Sequence, residues 1–325
     1  MQTYLKSRPV WSQSLIFISL VVATLLVFVA MIGTWIGIKL TGLSLFEISD
    51  VSKWTAADGR YVVFLRVMLA VQFVGLFVAP CLLFAYFSDP APARYLGFKK
   101  TQPLFFIAGI LLMLAAIPLV EYLGLLNQKI SFPRGVEGWM KNAEKEAQQQ
   151  IGMLLQSKSI GNLILNVIMV AGFAGVGEEL FFRGVLQRLF IWGFKNVWVG
   201  IIVAAVLFSA LHLQFYGFFP RFFLGILLGA IYWYSGSIWP AMLAHFFYDA
   251  TLIVLAYFNP GMMADDQTSF IPSSSMTVLA LVSAAATIAL LYFMRSKSTA
   301  DAAQFQAERT PYNNNPFMFD QDGAA

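Results

Sequence analysis

The sequence has little charge, one cysteine and two histidines, and these shortages exclude several classes of protein. Charged residues make up 12% of the 325 residues and hydrophobic residues 59%, whereas a soluble domain contains about 25% charged residues. An ordinary soluble domain is therefore excluded. The single cysteine, Cys81, cannot form an internal disulfide. The net charge of +4 comes without clustered basic and stacking residues, which favours anionic membrane lipids as partners and no nucleic acid.

What the sequence has instead is a series of long apolar runs. A helix needs about 20 mostly apolar residues to cross a bilayer, and a helix also satisfies its own backbone hydrogen bonds there. The long runs predict spans at about residues 15–40, 61–87, 104–125, 160–182, 197–215, 238–258 and 278–294. A shorter run at about 222–234 predicts a short span, in which Gly225 and Gly229 let helix backbones approach closely. The predicted fold class is all-α, a polytopic membrane protein with about eight transmembrane helices.

The distribution of charge predicts how these spans are threaded. Residues 1–297 are expected to form one transmembrane domain, because the first apolar run is too long for a signal-peptide core and is taken as a retained span. Eight spans place most basic residues on one side, which predicts that both termini are cytoplasmic. Arg221 departs from this pattern. The basic residues are Lys6, Arg8, Arg94, Lys99, Lys100, Arg188, Lys195, Arg295 and Lys297, and the opposite loops carry Glu47, Asp50, Asp265 and Asp266.

Two segments outside the spans have distinct patterns. Between the third and fourth spans, apolar residues from Val136 to Leu154 recur at helical spacing with charged residues between them, which predicts an amphipathic helix on the membrane interface. Such a helix can be an anchor, a lid or a substrate guide. Residues 298–325 show little apolar periodicity and are predicted to be a disordered cytoplasmic tail.

A small group of ionisable residues lies inside the predicted spans. Each costs about 2.5–3.5 kcal/mol to place at the bilayer centre, so each requires a partner or a function. Both histidines of the chain fall in this group. A purely structural network is the alternative to a functional one. The group consists of Glu178, Glu179, Arg183, His212, His245 and Asp249.

The spacing of these residues suggests their roles. Glu179 and Arg183 are one helical turn apart, in the order that favours an ion pair. Glu178 is rotated by about 100° from Glu179 and has no obvious cation, so it is the candidate general base. Phe208 precedes His212 by one turn and can exclude water from its ring.

The second histidine motif and the choice of reaction follow from the same reasoning. His245 and Asp249 are also one turn apart, so the carboxylate can orient the imidazole. A carboxylate base and two imidazoles can activate water for amide hydrolysis and stabilise the oxyanion. Nucleophilic catalysis is disfavoured because Cys81 is far from this group in sequence and no Gly-x-Ser-x-Gly elbow occurs, although Ser209 stays open.

Metal dependence is left open by the sequence. Zinc held by Glu178, His212 and His245 is chemically reasonable, but the sequence lacks His-Glu-x-x-His. Water activation without a metal is equally allowed, so no cofactor is assigned.

These three motifs resemble those of a known family. In residue type and order they are similar to the CPBP group, which comprises the type II CAAX prenyl endopeptidases and bacteriocin-processing or immunity relatives, over about residues 160–255. The resemblance implies an eight-helix intramembrane endopeptidase in which Glu178 and His212 activate water. It also implies that His245 and residue 249 line an oxyanion site. Asp249 stands where the eukaryotic enzymes usually have asparagine, so it can instead orient His245 or bind a metal.

The functional hypothesis is therefore cleavage of a membrane-associated or lipidated, CAAX-like peptide by an integral protein of the bacterial cell (inner) membrane. Glu178, Glu179, His212, His245 and Asp249 are the candidate catalytic residues, supported by Arg183 and Phe208. The rival hypotheses are a proton-coupled transporter, in which buried Glu and His residues relay protons, and a non-catalytic membrane immunity or scaffold protein.

Overall fold

The structure, a computed structural model, describes residues 5–259 and 273–308, and these form helices and loops without a strand. The prediction of an all-α polytopic membrane protein is confirmed. Asp265, Asp266 and residues 309–325 lie outside the described part of the chain. The main helices are α1 (Val10–Thr41), α2 (Gly59–Ser88), α3 (Leu104–Gln128), α4 (Arg134–Leu155), α5 (Ile160–Phe194), α6 (Val197–Ala210), α7 (Phe218–Ser235), α8 (Ile238–Phe258), α9 (Ser273–Lys297) and α10 (Ala302–Ala307).

Seven of the described helices are long and apolar enough to cross a membrane, namely α1, α2, α3, α5, α7, α8 and α9. Helix α6 is apolar but shorter, with 14 residues. At 1.5 Å per residue α6 spans about 21 Å, which is less than the roughly 30 Å of a hydrocarbon core. The prediction that 197–215 is a full span and 222–234 a short one was therefore wrong: the short helix is the earlier one, and it ends before His212.

Helix α5 is much longer than the predicted span. It was expected to end near residue 182 but continues to Phe194. Arg183 and Arg188 are both buried among other helices, so neither side chain has to reach water and the helix can continue past them. The acidic pair therefore lies in the middle of the helix. Three π-helical segments interrupt its α-helical geometry, at Val167–Gly172, Ala174–Glu178 and Leu180–Leu186. Such wide turns are frequent at functional sites.

Helices α3, α5, α6, α7 and α8 pack against one another around the centre of the molecule. Small residues set the closest approaches. Gly225 of α7 lies so near α6 that a Cβ atom there would come within 2.9 Å of the Ala205 Cβ and 3.0 Å of its Cα. Gly175 of α5 lies equally near the backbone of α8, with a Cβ position 3.0 Å from Met242 O. The predicted close approach at Gly225 is thus confirmed.

The segment between α3 and α5 is helical, as its periodicity predicts. Helix α4 buries Met140 and Leu154 against the protein, whereas Trp139 is about half exposed, with 52% of its surface accessible. The Gln149 side chain donates to Trp54 O at 2.6 Å. Helix α4 is therefore attached to the segment between α1 and α2 and does not lie only against lipid.

The C-terminal stretch differs from its prediction in the part that the structure describes. Residues 302–307 of the predicted disordered tail form helix α10. The Trp192 indole N–H donates to Phe305 O at 3.1 Å, and Glu308 forms ion pairs with Lys99 and Arg188. Local sequence periodicity missed this helix because its stability comes from contacts with distant residues.

A glycine substitution tests the close contact between α6 and α7. In Gly225→Ala the new methyl group has no space, because rigid atoms of Ala205 face it, and we expect the free energy of unfolding to fall by about 1–3 kcal/mol. Thermal unfolding in detergent measures the change. Gly124→Ala is the matched control, since its nearest neighbour would be an ordinary 3.6 Å contact with Pro220. If Gly124→Ala lowers the free energy of unfolding as much as Gly225→Ala does, the packing explanation is wrong.

Candidate functional site

The site is built around the buried carboxylate of Glu179 on α5. Its Oε1 atom accepts hydrogen bonds from Arg183 Nη1 at 2.8 Å and from His245 Nδ1 at 2.9 Å. The side chains of Glu179 and Arg183 are 0% and 1% exposed. The predicted ion pair is confirmed, and the contact with His245 on α8 was not anticipated. Glu179 does not line the cavity described below, but it contacts His245, which does.

Arg183 connects α5 to two further helices. Its Nη2 donates to Gly225 O on α7 at 2.9 Å, and its guanidinium carbon lies 5.0 Å from the centre of the Phe208 ring on α6. Phe208 packs edge-on against His212 and His245, at centroid distances of 5.1 and 6.1 Å. The Phe208 ring therefore contacts the buried arginine and both imidazoles.

His212 lies just beyond the C-terminal end of α6, and not within a helix as predicted. Its backbone N–H bonds to Ser209 O, which leaves Phe208 O outside the regular helical hydrogen-bond pattern. The ring satisfies that carbonyl, with Nδ1 at 2.7 Å from Phe208 O. Since a carbonyl only accepts, Nδ1 carries the hydrogen, and Nε2 of the neutral ring keeps its lone pair. Leu213 follows at φ +56°, a conformation uncommon for leucine, and turns the chain towards α7.

A cavity of about 260 Å³ collects the candidate side chains from three chain segments. Glu178 from α5, His212 from the loop after α6, and His245 and Asp249 from α8 all line it. Glu178 makes no hydrogen bond to another described residue, unlike its neighbour Glu179. The cavity is large enough for several water molecules.

His245 stands between two carboxylates. Its Nδ1 faces Glu179 and its Nε2 lies 3.4 Å from Asp249 Oδ2. The ring can donate to both only when both nitrogens carry hydrogen, that is, as the imidazolium cation. The arrangement thus favours His245 as a hydrogen-bond donor and His212 as an acceptor. Asp249 is in place to orient His245.

The donor set does not fit a metal ion. Within residues 5–259 and 273–308, no three His, Cys, Asp or Glu side chains come close enough together to hold one. The set of Glu178, His212 and His245 considered for zinc is not assembled in this arrangement.

Two residues of the cavity were missed in the sequence. Arg221 of α7 lines it and donates to Gln214 O at 3.1 Å and to Gln214 Oε1 at 2.5 Å. Tyr248, 6% exposed, lines it one residue before Asp249. The signal for Arg221 was present, because it is a lone cation at the start of an apolar segment that departs from the charge pattern of the loops. Tyr248 carried no signal beyond its position next to the His245 motif.

Comparison with known proteins agrees with the resemblance seen in the motifs. Residues 160–251 match a family model described as "Type II CAAX prenyl endopeptidase Rce1-like". The chain is also 32% identical over 101 residues to the uncharacterized protein YpbD of Bacillus subtilis (strain 168). That match covers 30% of this chain and 47% of YpbD, so the chain spans about half the length of this curated relative. No solved structure matches the chain. The matched family segment contains every candidate site residue.

Adjacent glutamates provide a matched test of the buried ion pair. Glu179→Gln leaves the Arg183 guanidinium buried without a counter-charge, and we expect the free energy of unfolding to fall by about 3–5 kcal/mol. Glu178→Gln changes the same functional group one residue earlier and should cost less than about 1 kcal/mol, because no hydrogen bond is lost. Thermal unfolding of both variants in detergent measures the difference. Equal losses would contradict the assignment of the ion pair to Glu179 alone.

Proposed function

We propose that the protein is an intramembrane endopeptidase that hydrolyses a peptide bond with water activated by Glu178 and His212. The observation that carries the proposal is that both residues line one cavity with His245 and Asp249. The match of residues 160–251 to a family of prenyl endopeptidases supports the same reaction class. The membrane-spanning character of the surrounding helices supports a reaction within the bilayer.

In the proposed mechanism Glu178 and His212 act together on one water molecule. Glu178 has no hydrogen-bond partner among the described residues, so its carboxylate is available to take a proton from water, and the free Nε2 of His212 can accept a hydrogen bond from the same molecule. The water oxygen then attacks the peptide carbonyl and forms a tetrahedral oxyanion. Glu178 returns the proton to the departing amine, which completes the hydrolysis.

The oxyanion requires hydrogen-bond donors in a site from which bulk water is excluded. His245 is held between Glu179 and Asp249 in a geometry that favours its cationic form, and it lines the cavity. Arg221 is the only lysine or arginine among the described lining residues. We assign oxyanion stabilisation to His245, with Asp249 and Glu179 as the groups that orient it, and we assign Arg221 a supporting charge.

A covalent intermediate has less support than direct attack by water. Ser209 is 1% exposed, its hydroxyl donates to Phe218 O at 2.6 Å, and it does not line the cavity. Cys81 is 0% exposed within the packed core of α2. Neither side chain has an adjacent base in the cavity, which nucleophilic catalysis needs.

The proposed substrate is a membrane-associated or lipidated peptide, with a CAAX-like carboxyl terminus as the first class to test because of the family match. The proposed location is the bacterial cell (inner) membrane with both termini cytoplasmic. Helix α4 lies near the cavity, because the Gln214 side chain connects it to Arg221. The Gln214 amide nitrogen donates to Glu144 of α4 at 3.3 Å, and its amide oxygen accepts from Arg221. This chain of contacts supports a role for α4 in admitting substrate.

Cleavage of a quenched fluorescent peptide with a farnesylated CAAX terminus tests the proposal in detergent and in liposomes. We expect Glu178→Gln to lower kcat/KM by about 10²–10⁴-fold, the usual contribution of a general base. Glu146→Gln, on the exposed face of α4, is the control and should cleave at the unaltered rate. Comparison of membrane peptides from cells carrying either variant extends the test to other substrates.

The rival functions give different results in the same preparation. Retained cleavage in folded Glu178→Gln would remove the proposed mechanism. Proton-coupled flux into liposomes without peptide hydrolysis would identify a transporter. A protein that neither cleaves nor transports, and whose Glu178→Gln variant still binds its partner, would be a scaffold or immunity protein.

A further inference from the structure

A second cavity, of about 290 Å³, lies where the loops that precede α1 and α3 approach the end of α5 and the C-terminal segment. It is separate from the proposed catalytic cavity and shares no lining residue with it. Its charged lining consists of four cations and two carboxylates. These are Lys6, Arg94, Lys99 and Arg188, with Asp89 and Glu308.

Arg188 is the centre of this cavity and is almost fully buried, with 2% of its surface exposed. Its guanidinium carbon lies 5.0 Å from the ring centres of Tyr95 and Trp192 and 4.9 Å from that of Phe305. Its Nε atom has no hydrogen-bond partner in residues 5–259 and 273–308. A buried cation with an unused donor is costly, and the proposed proteolysis does not use it.

The C-terminal segment shows what kind of group this arginine binds. The Glu308 carboxylate accepts from Arg188 Nη2 at 2.9 Å through one oxygen and from Lys99 Nζ at 2.8 Å through the other. Burial raises the pKa of Glu308, but Arg188 and Lys99 outweigh it and hold the pKa below its ordinary value of 4.5. Two oxygens of an ionised group therefore sit on two cations, as those of a phosphate would.

The charge of the cavity leaves room for more negative charge. Lys6 pairs with Asp89, and Glu308 is shared between Lys99 and Arg188. Arg94, on the exposed rim, has no ion pair with the described residues. The Glu308 carboxylate is thus the one negative group opposite Lys99, Arg188 and Arg94 among the described lining residues. A phosphate group in its place would offer these cations more acceptor oxygens.

An apolar groove beside the cavity favours a lipid as the source of a phosphate group that would bind there. This groove, of about 480 Å³, also contacts Trp192 and runs between the start of α1, at Val10 and Trp11, and the end of α5, at Leu189 and Phe190. Trp11 is 68% exposed, as a residue that contacts lipid would be. A charged cavity and an apolar groove that share one tryptophan fit a headgroup and an acyl chain.

We propose that Arg188, Lys99 and Arg94 bind the phosphate of an anionic phospholipid whose acyl chain follows the Trp11 groove, and that Glu308 of the C-terminal segment competes for the same cations. The Glu308 carboxylate and a lipid phosphate are both anionic groups with two or more acceptor oxygens, so they can bind the same cations. Release of Glu308 frees Lys99 and Arg188 for the headgroup. The assignment is independent of peptide cleavage, because it involves none of the residues of the catalytic cavity.

Lipid retention by the full-length protein tests this site. Native mass spectrometry of protein from nanodiscs of phosphatidylcholine mixed with phosphatidylglycerol should show phosphatidylglycerol retained preferentially. We expect Lys99→Gln to weaken its apparent affinity by about fivefold, from the loss of one cation near the headgroup, and Lys100→Gln, an exposed neighbour outside the cavity, to leave it unchanged. Glu308→Gln should strengthen retention severalfold, because it removes the internal competitor.

The two substitutions change phosphatidylglycerol retention in opposite directions, which distinguishes lipid binding from a purely structural role of the ion pairs. If the ion pairs of Glu308 only attach the C-terminal segment, Lys99→Gln and Glu308→Gln will lower the unfolding temperature alike and leave lipid retention unchanged, which overturns the proposal. Glycerol phosphate or inorganic phosphate added in detergent is the second arm. If either displaces phosphatidylglycerol at equal concentration, the site takes a soluble phosphate and the lipid assignment is wrong.

Discussion

The structure depends on one buried carboxylate shared by an arginine and a histidine from different helices. Glu179 holds Arg183 of its own helix and His245 of α8 through a single oxygen. Charges buried in a helix bundle are tolerated only when they are paired and hydrogen-bonded. Arg183 extends the network to Gly225 O on α7. This network connects α5, α7 and α8, whose residues form much of the wall of the cavity that contains Glu178 and both histidines.

The second constraint is the short helix α6. Helix α6 has 14 residues, fewer than a full span needs. Irregular backbone within a membrane must be covered by protein or reach a water-filled cavity, and the segment that carries His212 lines such a cavity. The His212 ring meets this requirement by bonding to Phe208 O. The same bond determines which ring nitrogen stays free. A structural requirement of the membrane thereby prepares the histidine for the proposed chemistry.

Two buried arginines on one helix serve different purposes. Arg183 is neutralised within the bundle by Glu179 and stabilises the site. Arg188, five residues later, is enclosed by aromatic rings and is neutralised by a carboxylate from beyond the last transmembrane helix. The continuation of α5 to Phe194 places both on one rigid element. The proposed lipid site at one end of this helix and the proposed catalytic site at its middle are therefore connected by a continuous backbone.

The sequence by itself determined the features that depend on local composition and spacing. Apolar runs predicted the membrane helices, and four-residue spacings predicted the Glu179–Arg183 ion pair and placed His245 beside Asp249, because neighbours on one helix face need no knowledge of the fold. The sequence also identified Glu178 and both histidines, since an ionisable group in an apolar run is conspicuous at any position. Whether these three residues catalyse hydrolysis stays a prediction.

Only the tertiary structure decided how groups from different segments meet. The contact between Glu179 and His245 spans 66 positions, and that between Arg188 and Glu308 spans 120. No periodicity encodes such distances. The end of α6 before His212, the inclusion of Arg221 in the cavity and the docking of α10 each follow from packing against distant helices. Local patterns specify which face of a helix is apolar, but the free energy that selects its partner comes from contacts made after the chain folds.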